Sequence, residues 1–545
     1  MGSNVYRISR PLYIIHSPSY RYNRFEDSYL LLTSFRHSRN IKDINSMEQT
    51  VPTIEQLNIV IKEKYKNPDT DLISRAYEFA KLAHRGQYRL GGLPYITHPI
   101  ATAIQLANMR IDLNVVAAGL LHDVPEDTPF TLDNVREVFG EDISGMVEGV
   151  TKLGKIQYRG VDRYIENLRK MFFAMAKDVR TIFIKFADRL HNLQTLDSVP
   201  EQKRLRIARE VMEIYAPVAN RLGMGEFKGE FEDLSFKYLM PKEYEYIKEL
   251  EREKITQTGE MLDEMTSLVK NELEKNNIKP IAIHGRLKRL YSLYKKLQRH
   301  ENDINKIYDI VALRIIVNDI NECYSVLGIV HQIWKPMVGR IKDYIAQPKL
   351  NGYRSLHTTV FTKGGHPIEI QIRTLEMNEE ASFGIAGHWR YKDLLGENVQ
   401  QKRNIRWLQE IGAIQKEIKT REDFIEHLDE LKFDTLRDRI FVFTPNGDVI
   451  DLPEGSTPID FAYAIHTEIG NKCSAARIND VMINLNTELK SGDVCEIIID
   501  KKRKSPNSDW LDFVKTNHAR AKIRDATKVN VRGWLKTIVH NRKNK

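Results

Sequence analysis

Apolar residues recur at intervals of three and four from Ile54 to about Leu239, and after Pro280 this period gives way to short β-like runs. One such change of period in a 545-residue chain excludes a single continuous core; it calls for an all-α unit followed by a unit containing a sheet. In the first part, Ile73, Ala76, Tyr77 and Ala80 share a helical face, as do Val115, Ala118, Gly119 and His122. Polar breaks at 89–94 and 126–129 separate the helices. The expected division is an extension at 1–46, a helical unit at 50–240 and a charged helical connector at 241–280. A mixed α/β unit at 281–396, a helical linker at 397–437, a compact β-rich module at 438–500 and a basic helical tail at 501–545 follow.

The connector's main apolar positions are Leu250, Met261, Leu262, Met265 and Leu268. In the α/β unit, Asp309–Val317, Leu356–Phe361 and Pro367–Ile372 read as strands, with helices at 286–299 and 321–334. Asn446-Gly447 between two apolar runs is a hairpin signal.

Lys and Arg number 83 against 74 Asp and Glu, a net charge of +9 that excludes a histone-like polycation. The first 46 residues hold seven basic and three acidic residues with many Ser and Tyr, and Lys501 onward is basic too. The early segment reads as an over-extended start with Met47 as the initiator; an organelle transit peptide is the alternative. Lys501–Lys504 and the tail can attract RNA electrostatically, although a solvated, partly frayed end is the favoured reading. The three cysteines, Cys323, Cys473 and Cys495, are too few and too scattered for a disulfide scaffold and fit a reducing, cytoplasmic compartment. No apolar run approaches the roughly 18–20 residues that span a membrane.

Two constellations carry chemistry. His122-Asp123 ends an apolar helical stretch, His98 lies where Pro99 can open a helix, and Asp188 is followed by Asn192 on the same helical face. Glu126 and Asp127 follow within a turn. Two imidazoles and two carboxylates suit Mn²⁺, Zn²⁺ or Fe²⁺ with positions open for water and substrate. In the α/β unit, Arg286, Lys288, Arg289, Lys295 and Lys296 crowd one helical stretch ahead of Asp309, at the head of a strand. Glu369 and Gln371 share a strand face opposite Ile370 and Ile372. Two carboxylates in a phosphate-attracting cleft suit Mg²⁺, and Tyr353 on the loop between them can stack a purine.

On these motifs the chain resembles the long RelA/SpoT homologues, which make and degrade guanosine tetra- and pentaphosphate, over about residues 50–525. The resemblance implies an all-α HD-type hydrolase domain, a mixed-sheet nucleotidyltransferase-like synthetase domain and a small β-grasp TGS domain. In the hydrolase it makes His98, His122, Asp123 and Asp188 the Mn²⁺ ligands and Glu126 and Asp127 the pair that activates water. Arg89, Asn192 and Thr195 would line its nucleotide pocket. One departure is Pro125, where many relatives have an aliphatic residue; it removes a backbone donor from the turn holding Glu126.

In the synthetase, Arg286, Lys288 and Lys296 would hold ATP phosphates, Asp309 and Glu369 would bind Mg²⁺, and Glu369 would serve as base for the 3′-hydroxyl of GDP or GTP. Tyr353 would stack the guanine beside His357, and Arg340-Ile-Lys342-Asp343 matches the basic loop of bifunctional relatives. His466 is the candidate contact to uncharged tRNA on the ribosome, against the plainer role of closing a helix. The zinc-finger and ACT-like regions of full-length relatives do not follow, which weighs against stable ribosome docking. The implied partners are ATP, GDP or GTP and (p)ppGpp, with no membrane. Ligands at one site are expected to disfavour the other through the 240–280 connector. Two alternatives are a hydrolase with weak synthetase activity and a tRNA- or ribosome-binding sensor with secondary catalysis.

Overall fold

The computed structural model describes residues 51–154, 177–349, 351–384, 439–490, 492–503, 505–516 and 518–527, with the isolated positions 171, 174 and 386. The expected extension at 1–46, the linker at 397–437 and the end of the tail from 528 lie outside the described residues.

The first body is helical. Thr53 caps the helix Ile54–Lys64 through a reciprocal pair with Gln56, and Asp69 caps Thr70–Ala83 by accepting from the Leu72 amide at 3.0 Å. Thr97–Asn108, Leu113–Leu121, Leu132–Gly154 and Arg180–Gln194 pack around these, with a break at Gly140 (φ 80°) in the third. Phe183, Phe186, Phe227 and Phe231 are fully or almost fully buried, and Phe186 ties Arg180–Gln194 to the helix Gly225–Leu239 by an edge-on ring contact with Phe231 and a tilted one with Phe227.

The second body is a five-stranded mixed sheet ordered β1-β2-β5-β4-β3, with β1 Ala282–Leu287, β2 Val311–Val317, β3 Lys342–Asp343, β4 Leu356–Phe361 and β5 Pro367–Thr374. The β2–β5 pair is parallel and the others antiparallel. Alternation leaves Leu313, Ile315, Ile370 and Ile372 in the core and turns Arg314, Glu369, Gln371 and Arg373 to the other face. Arg286 lies in β1, opposite Ala312, and not in a helix as its sequence neighbours suggest; the helix begins at Leu290.

The connector is one helix, Pro241–Lys275, and its Ile247, Leu262, Met265, Val269 and Leu273 are buried in the same cluster as the sheet. Leu268 instead faces solvent, 37% exposed, because the buried stripe falls on 262, 265, 269 and 273.

The two bodies also meet directly. Arg289 pairs with Glu226 and Glu230 on the helix Gly225–Leu239. Gly384 (φ 53°) lies so close to the Leu222–Met224 backbone that a Cβ there would stand 2.1 Å from the Leu222 carbonyl oxygen. Gly384→Ala should therefore destabilise the chain by about 2–4 kcal/mol, read as a lower first melting transition; an unchanged transition would refute this close approach.

In the third body, β6 Arg439–Phe443 and β7 Val449–Pro453 form the expected hairpin, with Gly447 at φ 89°. β8 Cys473–Ile478 pairs with β9 Val481–Ile483 and β10 Cys495–Ile499, and Phe443 bridges the two sheets by donating its amide to Asp493 at 2.8 Å. The following segment is not a frayed tail up to residue 527. Trp510, Val514, Ala519 and Ile523 are buried against Ile459 and Tyr463, and the Asp460 carboxylate accepts from the Thr516 amide at 2.7 Å. Arg503 donates to the Cys473 carbonyl and Arg520 to that of Val514, so two of the tail's cations serve the fold.

All three cysteines are fully buried, and burial pushes their thiols up to about 12. The native chain should resist a thiol reagent until denatured; stoichiometric labelling of the folded protein would contradict this packing.

Two candidate active sites

The first site forms where three helices converge. His98 is the second residue of Thr97–Asn108, His122 closes Leu113–Leu121, and Asp188 lies within Arg180–Gln194. Among the described residues, His98, His122 and Asp123 are the one group of three or more potential ligands whose donor atoms all lie within 4.8 Å of one another. His122 Nδ1 lies 2.8 Å from the Gly119 carbonyl, to which it must donate, so in the neutral ring that a metal needs its Nε2 is the bare lone pair. That Nε2 is buried, has no hydrogen-bond partner and faces Asp123 Oδ1 at 3.1 Å. Two acceptors held this close without a donor between them fit a cation.

His98 Nε2 stands 3.4 Å from both Asp123 Oδ2 and Asp188 Oδ1. Asp188 is also bound by Lys185 at 2.8 Å and by the Asn192 side-chain amide. Burial would raise its carboxyl, but Lys185 and His98 hold it well below the usual range. Glu126 goes the other way: partial desolvation, with Asp123 and Asp127 close by, raises its carboxyl against the pull of Lys185, which suits a proton acceptor. Pro125 falls in the first turn of Val124–Asp127, where no intrahelical donor is required, and Glu126 and Asp127 both still donate their amides to the Asp123 carbonyl. Arg89 reaches Asn192 at 2.8 Å and Thr195 at 3.2 Å, so the expected pocket trio is assembled.

Sequence reasoning missed two neighbours. The Tyr95 hydroxyl lies 2.9 Å from Asp123 and 2.7 Å from Asp127, linking the candidate ligand to the candidate base. His191 lies beside His98, their Nδ1 atoms 2.7 Å apart, and burial pushes both imidazoles below the ordinary range.

The second site lies on the polar face of the β1–β5 sheet. Lys288 and Lys296 each hold one oxygen of Asp309 at 2.7 Å and, against the effect of burial, keep its carboxyl well below the usual range. Glu369 accepts from Gln371 at 2.7 Å and faces His357 at 3.4 Å; against burial, these bring its carboxyl down to about 2. Lys296, Asp309, Arg340, Lys342, His357 and Glu369 line one cleft, together with His300, Lys306, Tyr308 and Thr359. Four cations around two carboxylates make it a place for a phosphate chain and a divalent cation shared with Asp309 and Glu369.

Arg286 and Tyr353 stand beside this cleft and not on its wall. Arg286 donates to Gln371 at 3.1 Å, and the Tyr353 hydroxyl shares a 2.8 Å hydrogen bond with His357. Burial alone would raise the Tyr353 phenol, yet His357, Arg373, Arg286 and Arg314 lower it to about 6. Arg314 and Arg373 were not anticipated; both are buried on this face, and each leaves its Nε without a hydrogen bond. A cation within the apolar run Val-Ala-Leu-Arg-Ile-Ile-Val was the signal available in the sequence.

In the third body His466 is exposed; its backbone amide donates to the Ala462 carbonyl at 3.1 Å and closes the helix Pro458–Ile465, while its Nδ1 accepts the Glu468 amide at 3.2 Å and starts the helix Thr467–Lys472.

Residues 76–225 match the model of an HD domain, 285–395 that of the region found in RelA/SpoT proteins, and 440–499 that of a TGS domain. The chain is 45% identical over 458 residues to a probable guanosine-3′,5′-bis(diphosphate) 3′-pyrophosphohydrolase of Synechocystis, covering 83% of this chain and 60% of that protein. It is 44% identical over 477 residues to the bifunctional (p)ppGpp synthase/hydrolase SpoT of Escherichia coli, covering 87% of this chain and 67% of the relative. The chain thus spans about three fifths to two thirds of the length of these relatives. Small alarmone synthetase 1 of Bacillus subtilis, crystallised with its product pppGpp, is 26% identical over 31% of this chain and 99% of its own, with a TM-score of 0.23.

Proposed function

We propose, for a chain that belongs to the RelA/SpoT homologue family, two opposed reactions on one guanine nucleotide. One transfers the β,γ-pyrophosphate of ATP to the 3′-hydroxyl of GDP or GTP and releases AMP. The other hydrolyses that 3′-pyrophosphate and returns GDP or GTP with free pyrophosphate. The observation that carries this reading is the presence of both constellations in one chain, the His98/His122/Asp123 cluster and the Asp309/Glu369 cleft.

In the hydrolase, the domain at 50–240, His98, His122, Asp123 and Asp188 would hold Mn²⁺, which supplies a bound water of lowered pKa. Glu126, with its raised carboxyl, and Asp127, oriented by Tyr95, are placed to accept the proton of the attacking water. Arg89, held by Asn192 and Thr195, faces the nucleotide. In the synthetase, at 281–396, Arg286, Lys288, Lys296, Arg340 and Lys342 neutralise the phosphates, and Mg²⁺ shared by Asp309 and Glu369 would add to that neutralisation. Glu369 takes the proton of the 3′-hydroxyl; its lowered carboxyl keeps it ionised and suits cation binding more than proton uptake, so the base role rests on its place in the cleft. Tyr353, beside His357, stacks the guanine.

For the TGS module at 438–500 we infer a contact to uncharged tRNA through His466, whose Nε2 is the atom a tRNA 3′ end would meet while Nδ1 serves the helix start. No helix among the described residues is long and apolar enough to cross a membrane, and the cysteine usage supports a cytoplasmic setting. Chromatography of the chain with ATP and GDP or GTP and Mg²⁺ tests the reading. It should show AMP and the 3′-pyrophosphorylated product in equal amounts, and Mn²⁺ should then return the product to GDP or GTP. Failure to form any such product, or to degrade it when supplied, would overturn the corresponding half.

A further inference from the structure

His98 and His191 meet through their Nδ1 atoms at 2.7 Å, and the two residues are 1% and 7% exposed. Two imidazole nitrogens at that separation share one proton, so one ring donates and the other accepts. A nitrogen that binds a metal must be bare, and a neutral His98 that coordinates through Nε2 therefore carries its proton on Nδ1. That assigns the accepting role to His191 Nδ1. In the opposite arrangement His191 donates, His98 Nε2 keeps a proton, and that proton points at Asp123 and Asp188, each 3.4 Å away.

His122 has no such choice, because its Nδ1 faces the Gly119 carbonyl, which only accepts. The two imidazoles of the cluster are thus oriented by different means, one by backbone and one by a side chain that can hold either tautomer. His191 reaches His98 from the same helix that supplies Asp188, three residues earlier on its buried face.

We propose that His191 is the positioning residue that accepts the Nδ1 proton of His98 and so frees His98 Nε2 for the divalent cation. The inference rests on the hydrolase reading above. His191 is then neither a ligand nor a group that touches substrate.

Mn²⁺ binding to the full chain, followed by electron paramagnetic resonance, tests it on His191→Asn, His191→Phe and His191→Leu, with His98→Ala alongside. The asparagine oxygen stands where Nδ1 stood and can accept the proton; the other two remove the acceptor, one keeping the ring volume and one not. His191→Asn should bind within about threefold of wild type, and the apolar variants should weaken binding by about 10–100-fold, as loss of an orienting partner does. Equal binding by the apolar variants would overturn the proposal. So would a His191→Asn chain as weak as they are, since the ring's packing and not its acceptor would then matter. Wild-type affinity in His98→Ala would instead show that the cation lies elsewhere, and would remove the metal-centre reading together with this one.

Discussion

Asp309→Asn should lower pyrophosphate transfer by at least about 10³-fold while hydrolysis of the 3′-pyrophosphate continues. Asp309 is the pivot of the synthetase cleft, with Lys288 and Lys296 each 2.7 Å from one of its oxygens. The neutral side chain keeps the shape and removes the charge. Two lysines are then left facing each other across a partly buried site, and one of the two carboxylates proposed to bind Mg²⁺ is lost. Burial already lowers the Lys288 ammonium pKa, and Asp309 is the group that opposes this shift most. Initial rates of both reactions on the same preparation check the expectation, and continued hydrolysis shows that the chain is folded.

His122→Ala is the counterpart in the other body. It removes the imidazole whose bare Nε2 faces Asp123 at 3.1 Å, and should weaken Mn²⁺ binding by at least about 10²-fold and abolish hydrolysis at ordinary metal concentrations. Pyrophosphate transfer should persist, because no described contact of His122 reaches the sheet. The packing cost is real: His122 is 1% exposed, and alanine leaves a polar cavity. Retained transfer activity separates that cost from the loss of the ligand.

Short-range regularities in the sequence were sufficient for much of both sites. Asp188 and Asn192 lie four apart on a helix and are hydrogen-bonded in the structure, as that spacing requires. Glu369 and Gln371 alternate onto one strand face and are bonded at 2.7 Å. Arg286 misled because basic residues on both sides of a strand-to-helix junction look like one helical face; only pairing with β2 at Ala312 reveals the strand.

Tyr95 and His191 escaped because their roles depend on approach between elements 28 to 93 residues apart, on which local periodicity is silent. The connector was legible as a helix, but not the side it buries, since Leu268 and Val269 are both apolar and only the sheet's position selects between them. The docked segment after residue 505 was hidden by its charge. Lysines and arginines suggested a solvated end, whereas Trp510, Val514 and Ile523 are what decide its place.

The proposed pair of reactions requires two separable sites of opposite chemistry in one chain. Initial rates of product formation from ATP and GDP, and of product breakdown, on wild type, His122→Ala and Glu369→Gln test it most directly. His122→Ala should lose breakdown alone, and Glu369→Gln should lose formation alone. Loss of both activities in either folded variant, or formation by Glu369→Gln at the wild-type rate, would contradict it.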